Sequence, residues 1–281
     1  MGSKVLKLYY MMHQRRNPQN KTRDFWGNFG DELSPLVVTY ITGCDVRWAR
    51  VRDADLMAIG SILDSLALTK LAHFWTRYRW RKTPLAIWGT GVMRETFDYP
   101  ANNLNVLALR GPMSAARLHL KETNVYGDPG LFASELVPHS PKIYQLGIVP
   151  HISERTYEVT KQFCAAFPKA LIIDVRKHPI DVLKDISSCD MILSSSLHGL
   201  VVADSYSIPN AWVRFSDKVL GSGFKFQDYA AGIGRPHMIA HRPEDIPKEP
   251  HALENFLKAP YQAIDVAGSN RALAQKLKNW M

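Results

Sequence analysis

The chain has few cysteines and none of the common metal-binding motifs. Its 281 residues contain three cysteines, Cys44, Cys164 and Cys189, which are far apart and odd in number. That spacing matches neither a disulfide framework nor a zinc site, and no HExxH, paired CxxC or EF-hand pattern occurs. We therefore expect a protein of the reducing cytoplasm that binds no metal ion.

Long hydrophobic runs are also missing from the sequence. No apolar stretch approaches the roughly 20 residues that a membrane-spanning helix needs. Hydrophobic residues make up 46% of the chain and charged residues 22%, as in soluble globular proteins. The length is enough for one large domain or for two domains of ordinary size.

Acidic residues are outnumbered by basic ones. The 26 acidic and 35 basic residues give a formal net charge of +9, which favours acidic partners. The segment Lys70–Lys82 interleaves lysine and arginine with tryptophan, tyrosine and phenylalanine. We expect this segment to dock peripherally on an anionic membrane surface and to bind no nucleic acid. The alternatives are a solvated helix face with its aromatic rings turned inward, and stacking on nucleic acid bases.

Short apolar runs alternate with helical patterns in both halves of the chain. This alternation predicts parallel sheets joined by crossover helices. Two prolines in Pro138–Lys142 separate a first Rossmann-like domain, 1–138, from a second, 139–281, whose helical end after Ala252 is a candidate to cross back. The predicted strands are Lys4–Tyr10, Leu56–Gly60, Pro84–Trp88 and Asn105–Leu109, then Ile143–Val149, Ala170–Val175, Met191–Ser194 and Ala211–Arg214.

The most informative stretch is rich in serine and joins a predicted strand to a predicted helix. Ser195 and Ser196 follow the strand, and His198 stands just before the helix. Amides at a helix N-terminus attract anions at the carboxyl end of a parallel sheet. A histidine there can bind a phosphate or carboxylate and can move a proton at neutral pH. The alternative is a helix N-cap beside a packed, structural histidine.

Three further basic or histidine side chains are candidate ligands for an anion. Arg110 follows a predicted strand and offers a forked guanidinium that suits phosphate or carboxylate. His151 ends the first strand of the second half, and Lys225 lies between two phenylalanines. Each also has a structural interpretation: a surface ion pair for Arg110, a structural histidine for His151 and an ordinary helix position for Lys225.

Two glycine-rich turns carry polar side chains that suit a sugar. Gly27–Glu32 opens a predicted helix with Asn28 and Asp31, and Gly127–Gly130 contains Asp128. These side chains can hydrogen-bond hydroxyl groups. In the structural interpretation, Asp31 is only an N-cap and Asp128 only shapes a turn.

In this order the motifs resemble the polysaccharide pyruvyl transferase family, and its bacterial exopolysaccharide branch most of all. No single motif is decisive, but together they span about residues 25–235. Many members carry arginine directly before Leu-His, where this chain has Ser196, so another basic residue must make that contact. The matching segments are Gly27–Glu32, Gly89–Gly91, Arg110–Ser114, Gly127–Gly130, Pro150–His151, Ser194–Gly199 and Phe224–Tyr229.

The resemblance implies a fold similar to GT-B glycosyltransferases, with the active-site cleft between two Rossmann-like domains. The first domain would hold the acceptor and the second the donor. It also implies an enzyme without a cofactor, which moves the pyruvyl group of phosphoenolpyruvate onto a saccharide and forms a pyruvate ketal. The acceptor would be lipid-linked, at the inner face of the cytoplasmic membrane.

The resemblance also suggests roles for the candidate residues. Ketal formation protonates C3 of the enol and makes C2 electrophilic for a sugar hydroxyl, so it needs an acid–base group. We assign that role to His198, with His151 in reserve. The expected phosphoenolpyruvate ligands are Arg110, Ser195, Ser196, His198 and Lys225, and the expected acceptor ligands are Asn28, Asp31, Asp128 and His151.

Two other functions fit the sequence. A GT-B glycosyltransferase that uses a nucleotide sugar would have the same architecture and a basic diphosphate site. A catalytically silent protein that binds acidic glycans or membranes would account for the net charge, but not for histidines at two strand ends.

Overall fold

A computed structural model describes most of the chain. It covers residues 5–12, 27–66, 83–96, 98–99, 103–120, 125–154, 158–217, 219, 223–235 and 237–281. The basic and aromatic segment Lys70–Lys82 lies outside these ranges. Its docking on a membrane therefore stays a prediction.

The first half of the chain forms a five-stranded parallel sheet. Its strands run in the order β2-β1-β3-β4-β5. Every residue of β4 is buried, as expected for a parallel strand that is covered on both faces. The strands are β1 Val5–Tyr9, β2 Asp45–Trp48, β3 Leu56–Met57, β4 Leu85–Trp88 and β5 Leu104–Ala108.

The second half forms another five-stranded parallel sheet, in the order β10-β9-β8-β6-β7. The strands are β6 Tyr144–Val149, β7 Ala170–Ile172, β8 Cys189–Ser194, β9 Asn210–Val213 and β10 Ala240–His241. The predicted α/β fold with two Rossmann-like parallel sheets is therefore confirmed.

Helices connect the strands and cover the sheets. One of them, α6, follows β8 and is buried at every position, because it lies between the two halves. The α-helices of the described residues are α1 Phe29–Thr42, α2 Pro112–Arg117, α3 Ala133–Leu136, α4 Glu158–Ala165, α5 Pro179–Ser187, α6 Leu197–Ser205, α7 Phe224–Gly232, α8 Pro250–Lys258 and α9 Val266–Trp280.

Two strands were not predicted from the sequence, and a third is shorter than predicted. β2 was not predicted because it is a largely exposed edge strand whose sequence, Asp-Val-Arg-Trp, lacks an apolar run. β10 has two residues, too few for a pattern. The predicted strand Leu56–Gly60 ends early at Met57, and Gly60 takes the positive φ of 116° that favours glycine.

The two halves share one hydrophobic core. Leu8, Phe29 and Trp88 of the first half belong to the same buried cluster as Ile192 and Val202 of the second. Burial of this shared apolar surface holds the two sheets in a fixed relation.

The last helix, α9, crosses back from the second half to the first. Leu273 and Leu277 are fully buried members of the shared core. The indole Nε1 of Trp88 donates a hydrogen bond of 2.9 Å to the backbone oxygen of Leu273. The end of the chain therefore completes the core of the first half.

The carboxyl ends of both sheets face a common cavity. The segments that follow β1, β3 and β4 contribute Met11, Ser61 and Met93 to its wall. Those that follow β6 and β8 contribute His151 and Ser196. Ligands of open α/β sheets bind at this end of the strands, so the topology itself locates the candidate site.

Replacement of Leu273 with alanine should destabilise the whole protein, because the side chain fills the core between the halves. We expect a loss of about 2–5 kcal/mol in the free energy of unfolding, measured by urea denaturation. Lys278→Ala, on an exposed position of the same helix, is the matched control and should change it by less than about 0.5 kcal/mol. Equal effects of the two substitutions would contradict the shared core.

Candidate active site

The cavity between the sheets has a volume of about 200 Å³ and a mixed polar and apolar wall. Four of its side chains, Asp31, His151, His198 and Lys225, can carry or move a proton. The complete wall consists of Met11, Asn28, Asp31, Ser61, Ile62, Met93, His151, Ile152, Ser196, Leu197, His198 and Lys225.

Two helix N-termini meet at this cavity, and a glycine permits their contact. Gly30 lies in the first turn of α1, and His198 lies in the first turn of α6. A Cβ atom on Gly30 would lie 2.0 Å from the Nδ1 atom of His198, so no larger residue fits there without displacing the imidazole. Phe29 supports the junction through a 3.0 Å hydrogen bond from its backbone nitrogen to the backbone oxygen of Val175.

The imidazole of His198 is held neutral by its surroundings. Its exposed fraction is 5%, and burial lowers its pKa to about 3, with the charges of Lys225 and Arg110 adding to the effect. Its Nε2 atom is buried without a hydrogen bond and lies 3.7 Å from Oδ2 of Asp128. Nδ1, on the Gly30 side, is therefore the ring nitrogen left for a ligand.

Asp128 lies behind His198 rather than on the cavity wall. Its Oδ1 accepts a 2.8 Å hydrogen bond from the backbone nitrogen of Gly130, which caps a short 3₁₀ turn. Burial raises the pKa of Asp128 to about 6, so the carboxylate is mostly ionised at neutral pH. An ionised oxygen at 3.7 Å favours the imidazole tautomer with its proton on Nε2. Asp128 therefore shapes the turn through Oδ1, as in the structural interpretation, while its Oδ2 faces His198.

Asp31 does lie on the cavity wall, in the first turn of α1. The N-cap of that helix is Asn28, so the alternative that Asp31 caps the helix is wrong. Asn28 makes no capping bond; its Nδ2 atom donates a 3.1 Å hydrogen bond to Oδ2 of Asp31. Burial raises the pKa of Asp31 to about 7, although Asn28 and Lys225 oppose the shift.

Lys225 brings the positive charge of the cavity. It lies near the start of α7 with an exposed fraction of 7%, and its Nζ atom stands 5.4 Å from the ring centre of Phe226. Within the described part of the chain, Nζ has no carboxylate oxygen within ion-pair distance. Burial and the charge of Arg110 lower the pKa of Lys225 to about 8, so it remains mostly protonated at neutral pH.

The two serines before His198 have different positions. Ser196 lies on the cavity wall at the N-cap of α6 and makes no capping bond. Ser195 lies behind the wall, where its Oγ atom accepts a 2.8 Å hydrogen bond from the backbone nitrogen of His151 and donates to Glu154. Ser195 thus supports the strand end from inside, and Ser196 is the serine that can reach a ligand.

His151 also lies on the cavity wall. Burial lowers its pKa to about 4, and the charge of Lys225 acts in the same direction. Its Nδ1 atom is 2.8 Å from the Oγ atom of Ser153. The ring is therefore a second neutral imidazole in the cavity.

Arg110 is not brought to the wall. It is completely buried and forms an ion pair with Asp228, with 3.0 Å between Nη2 and Oδ2. The rest of its guanidinium donates to Ser61 and to the backbone oxygen of Val92. The surface ion pair considered from the sequence is thus wrong, because the partner lies on α7, far along the chain. Direct contact of Arg110 with a ligand stays a prediction that this geometry does not support.

Three polar residues in or behind the wall were not singled out from the sequence. Ser61 follows β3 without any motif, Glu154 lies outside the matching segments, and Asp228 was only part of one. Glu154 is fully buried and accepts hydrogen bonds from Ser195 and Ser216. Its one local signal was its place shortly after a strand-end histidine.

The fold and the cavity place the chain among two-sheet α/β proteins with a polar site at the strand ends. The chain belongs to the polysaccharide pyruvyl transferase family, because the family model described as "Polysaccharide pyruvyl transferase" matches residues 6–217. The resemblance inferred from the motifs is confirmed.

Individual relatives agree with this assignment. The succinoglycan biosynthesis protein ExoV of Rhizobium meliloti (strain 1021) is 25% identical over 245 residues, which cover 85% of this chain and 71% of that protein. The family and this relative support pyruvyl transfer to an exopolysaccharide. The uncharacterized protein L143 of Acanthamoeba polyphaga mimivirus is 33% identical over 113 residues, or 38% of this chain and 39% of that one.

A solved structure was also found. The crystal structure of an uncharacterized protein from Klebsiella pneumoniae subsp. pneumoniae NTUH-K2044 superposes with a TM-score of 0.48 at 12% identity. The match covers 84% of this chain and 92% of that one.

The described residues contain neither a candidate metal site nor a candidate membrane-spanning helix. No group of three or more His, Cys, Asp or Glu side chains there is arranged to hold a metal ion. No helix among those residues is both long and apolar enough to cross a membrane.

The imidazole of His198 should remain uncharged far below its ordinary pKa. We expect it to titrate near pH 3 in the free protein, measured by NMR of the histidine ring. Lys225→Met should raise this pKa, because it removes a positive charge that disfavours the imidazolium. Lys161→Met, on an exposed lysine of α4, should leave it unchanged. Titration of His198 near 6.5, its ordinary value, would contradict this description.

Proposed function

We propose that the protein transfers the pyruvyl group of phosphoenolpyruvate to a sugar of a lipid-linked polysaccharide repeat unit. The product is a pyruvate ketal, and phosphate is released. The observation that carries this proposal is that Lys225, whose ammonium forms no ion pair with the described residues, lies on the same cavity wall as the neutral imidazole of His198. Membership of the pyruvyl transferase family supports the choice of reaction.

Phosphoenolpyruvate requires a site that compensates negative charge. Lys225 supplies one cation at the cavity wall, and Ser196 supplies a hydroxyl beside the first amides of α6. Amides at a helix N-terminus and a lysine ammonium are both favourable partners for phosphate. Many family members have arginine at the position of Ser196. In this chain we assign the contact of that arginine with phosphoenolpyruvate to Lys225.

His198 is the group that we assign to proton transfer. Its Nδ1 atom is unprotonated at neutral pH, so it can accept the proton of a sugar hydroxyl that attacks C2. Asp128 holds the ring in the required tautomer from behind. We therefore assign Asp128 to the orientation of His198 instead of to the acceptor sugar.

We assign the acceptor sugar to three further polar side chains of the wall. Asn28 and Asp31 of the first half and His151 of the second offer hydrogen-bonding atoms there. The lipid linkage and the inner membrane face rest on the resemblance, on the net charge of +9 and on the composition of Lys70–Lys82.

Turnover should depend on His198. With phosphoenolpyruvate and candidate lipid-linked sugars, we expect mass spectrometry to detect an added pyruvate ketal and a phosphate assay to detect release. His198→Asn should lower kcat by about 10²- to 10⁴-fold, because the proton acceptor is lost. His119→Asn is the matched control, because His119 is exposed and has a φ of 56°, which asparagine tolerates.

The outcome also separates the proposal from a nucleotide-sugar transferase. Stabilisation of the protein by phosphoenolpyruvate in a thermal-shift assay, without stabilisation by nucleotides, is the expected result. Transfer of a sugar from a nucleotide donor, with no ketal formed, would overturn the proposal.

Lys225 should act mainly on donor binding. Lys225→Met keeps the length of the side chain but removes the charge, so we expect the KM for phosphoenolpyruvate to rise roughly 10- to 100-fold, as loss of a charged hydrogen bond predicts. Lys161→Met serves again as the control. An unchanged KM for the donor in Lys225→Met would show that the anion binds elsewhere.

A further inference from the structure

The proposed reaction requires a proton donor that His198 cannot supply in its first step. When the sugar hydroxyl adds to C2 of phosphoenolpyruvate, a proton must be added to C3, which becomes the methyl group. His198 is neutral and its Nε2 side faces Asp128, so its Nδ1 atom has no proton to give. A second acid must therefore stand in the same cavity.

We propose that Asp31 is this second catalytic group, and that it exchanges protons with the substrates in alternation with His198. The inference rests on the proposed function and extends it. Asp31 was expected only to contact the acceptor sugar; here its carboxyl delivers the proton to C3 and later takes the proton of the second hydroxyl.

The position of Asp31 suits this role. It directly follows Gly30, the residue against which His198 packs, so the two catalytic groups are carried by meeting helix ends. Its exposed fraction is 8%, and it lies on the cavity wall. Asn28 fixes Oδ2 at 3.1 Å. A Cβ on Gly60 would lie 2.6 Å from Oδ1, so the glycine leaves room for this oxygen.

The surroundings of Asp31 keep its carboxyl partly protonated at neutral pH. Burial and the carboxylates of Glu32 and Asp128 favour the protonated form, while Asn28 and Lys225 favour the ionised form. The resulting pKa of about 7 means that about half of the molecules carry the proton at neutral pH. The negative charge of bound phosphoenolpyruvate raises this fraction further. The titratable groups of the described residues that surround Asp31 are Glu32 on its own helix, Asp128 on the 3₁₀ turn, His151 after β6, His198 on α6 and Lys225 on α7.

Every proton that is transferred in one turnover has a donor and an acceptor among the substrates, His198 and Asp31. In the first step, His198 takes the proton of the first hydroxyl as its oxygen bonds to C2, and Asp31 gives its proton to C3 as the double bond is consumed. In the second step, the bond between C2 and the phosphate oxygen breaks, and His198 gives its proton to the departing phosphate. The second hydroxyl then bonds to C2 and its proton goes to Asp31. Both groups return to their starting forms without any other reactant.

This pairing fixes the direction of the pH dependence. The first step needs protonated Asp31 and neutral His198. Activity should therefore fall as the pH rises through the pKa of Asp31, and it should fall on the acid side as His198 becomes protonated. The alkaline decline that reports Asp31 is the decline of kcat at saturating phosphoenolpyruvate, because loss of charge from Lys225, whose pKa is about 8, acts on the KM for the donor.

Asp31→Asn is the decisive variant, because asparagine has the shape of the protonated carboxyl and can still accept the bond from Asn28. We expect kcat to fall by about 10²- to 10⁴-fold, while the KM for phosphoenolpyruvate changes by less than about threefold. We also expect the residual rate to lose its alkaline decline. Asp190→Asn, on an exposed residue, is the matched control and should behave as wild type.

Each other outcome overturns part or all of the argument. If wild type forms no ketal from phosphoenolpyruvate, the proposed function fails and this inference fails with it. If wild type is active and Asp31→Asn keeps its kcat, or keeps the alkaline decline, only the role of Asp31 fails. Stabilisation of Asp31→Asn by phosphoenolpyruvate in a thermal-shift assay establishes that this variant is folded. If Asp31→Asn is not folded, Asp31→Glu is tested in its place. An alkaline decline of kcat at the same pH in Asp31→Glu as in wild type would then refute the catalytic role of Asp31.

Discussion

The contact between Gly30 and His198 governs the rest of the active site. A Cβ on Gly30 would lie 2.0 Å from the imidazole. The helix ends that carry Asp31 and His198 can therefore lie this close only because residue 30 has no side chain. The shared hydrophobic core holds that approach in place from both sides. The site is therefore a property of the junction, and neither half of the chain contains it alone.

Burial at this junction reverses the ordinary order of the pKa values of a carboxyl and an imidazole. It moves the pKa of Asp31 to about 7 and that of His198 to about 3, while Lys225 at about 8 remains mostly charged at neutral pH. Pairs of titratable groups whose pKa values are pushed apart define acid and base roles. In this cavity the carboxyl of Asp31 keeps its proton to a higher pH than the imidazole of His198 does, so the carboxyl is the acid and the imidazole the base.

The sequence was sufficient for those features that depend on local patterns. The alternation of apolar runs predicted the parallel strands, and the position of Ser196 and His198 after β8 predicted that both lie at the carboxyl end of the sheet, where they line the cavity. It was insufficient wherever the partner of a side chain lies far along the chain. Arg110 was expected to bind phosphoenolpyruvate because nothing near it in the sequence indicates Asp228, and Asp128 was assigned to the sugar because nothing near it indicates His198. Edge strand β2 was missed for another reason, since its pairing depends on the backbone and not on apolar side chains.

The return of α9 to the first half has a consequence for the order of folding. A ribosome makes the strands of the first sheet early, yet α9, the helix that covers their core and accepts the hydrogen bond of Trp88, is made much later. Domains in general fold as units during synthesis, but here the first unit is incomplete until α9 emerges. Until then the nascent chain exposes the apolar surface that Leu273 and Leu277 cover in the native protein. A premature stop just before α9 would therefore remove one helix and leave the earliest part of the protein unfinished.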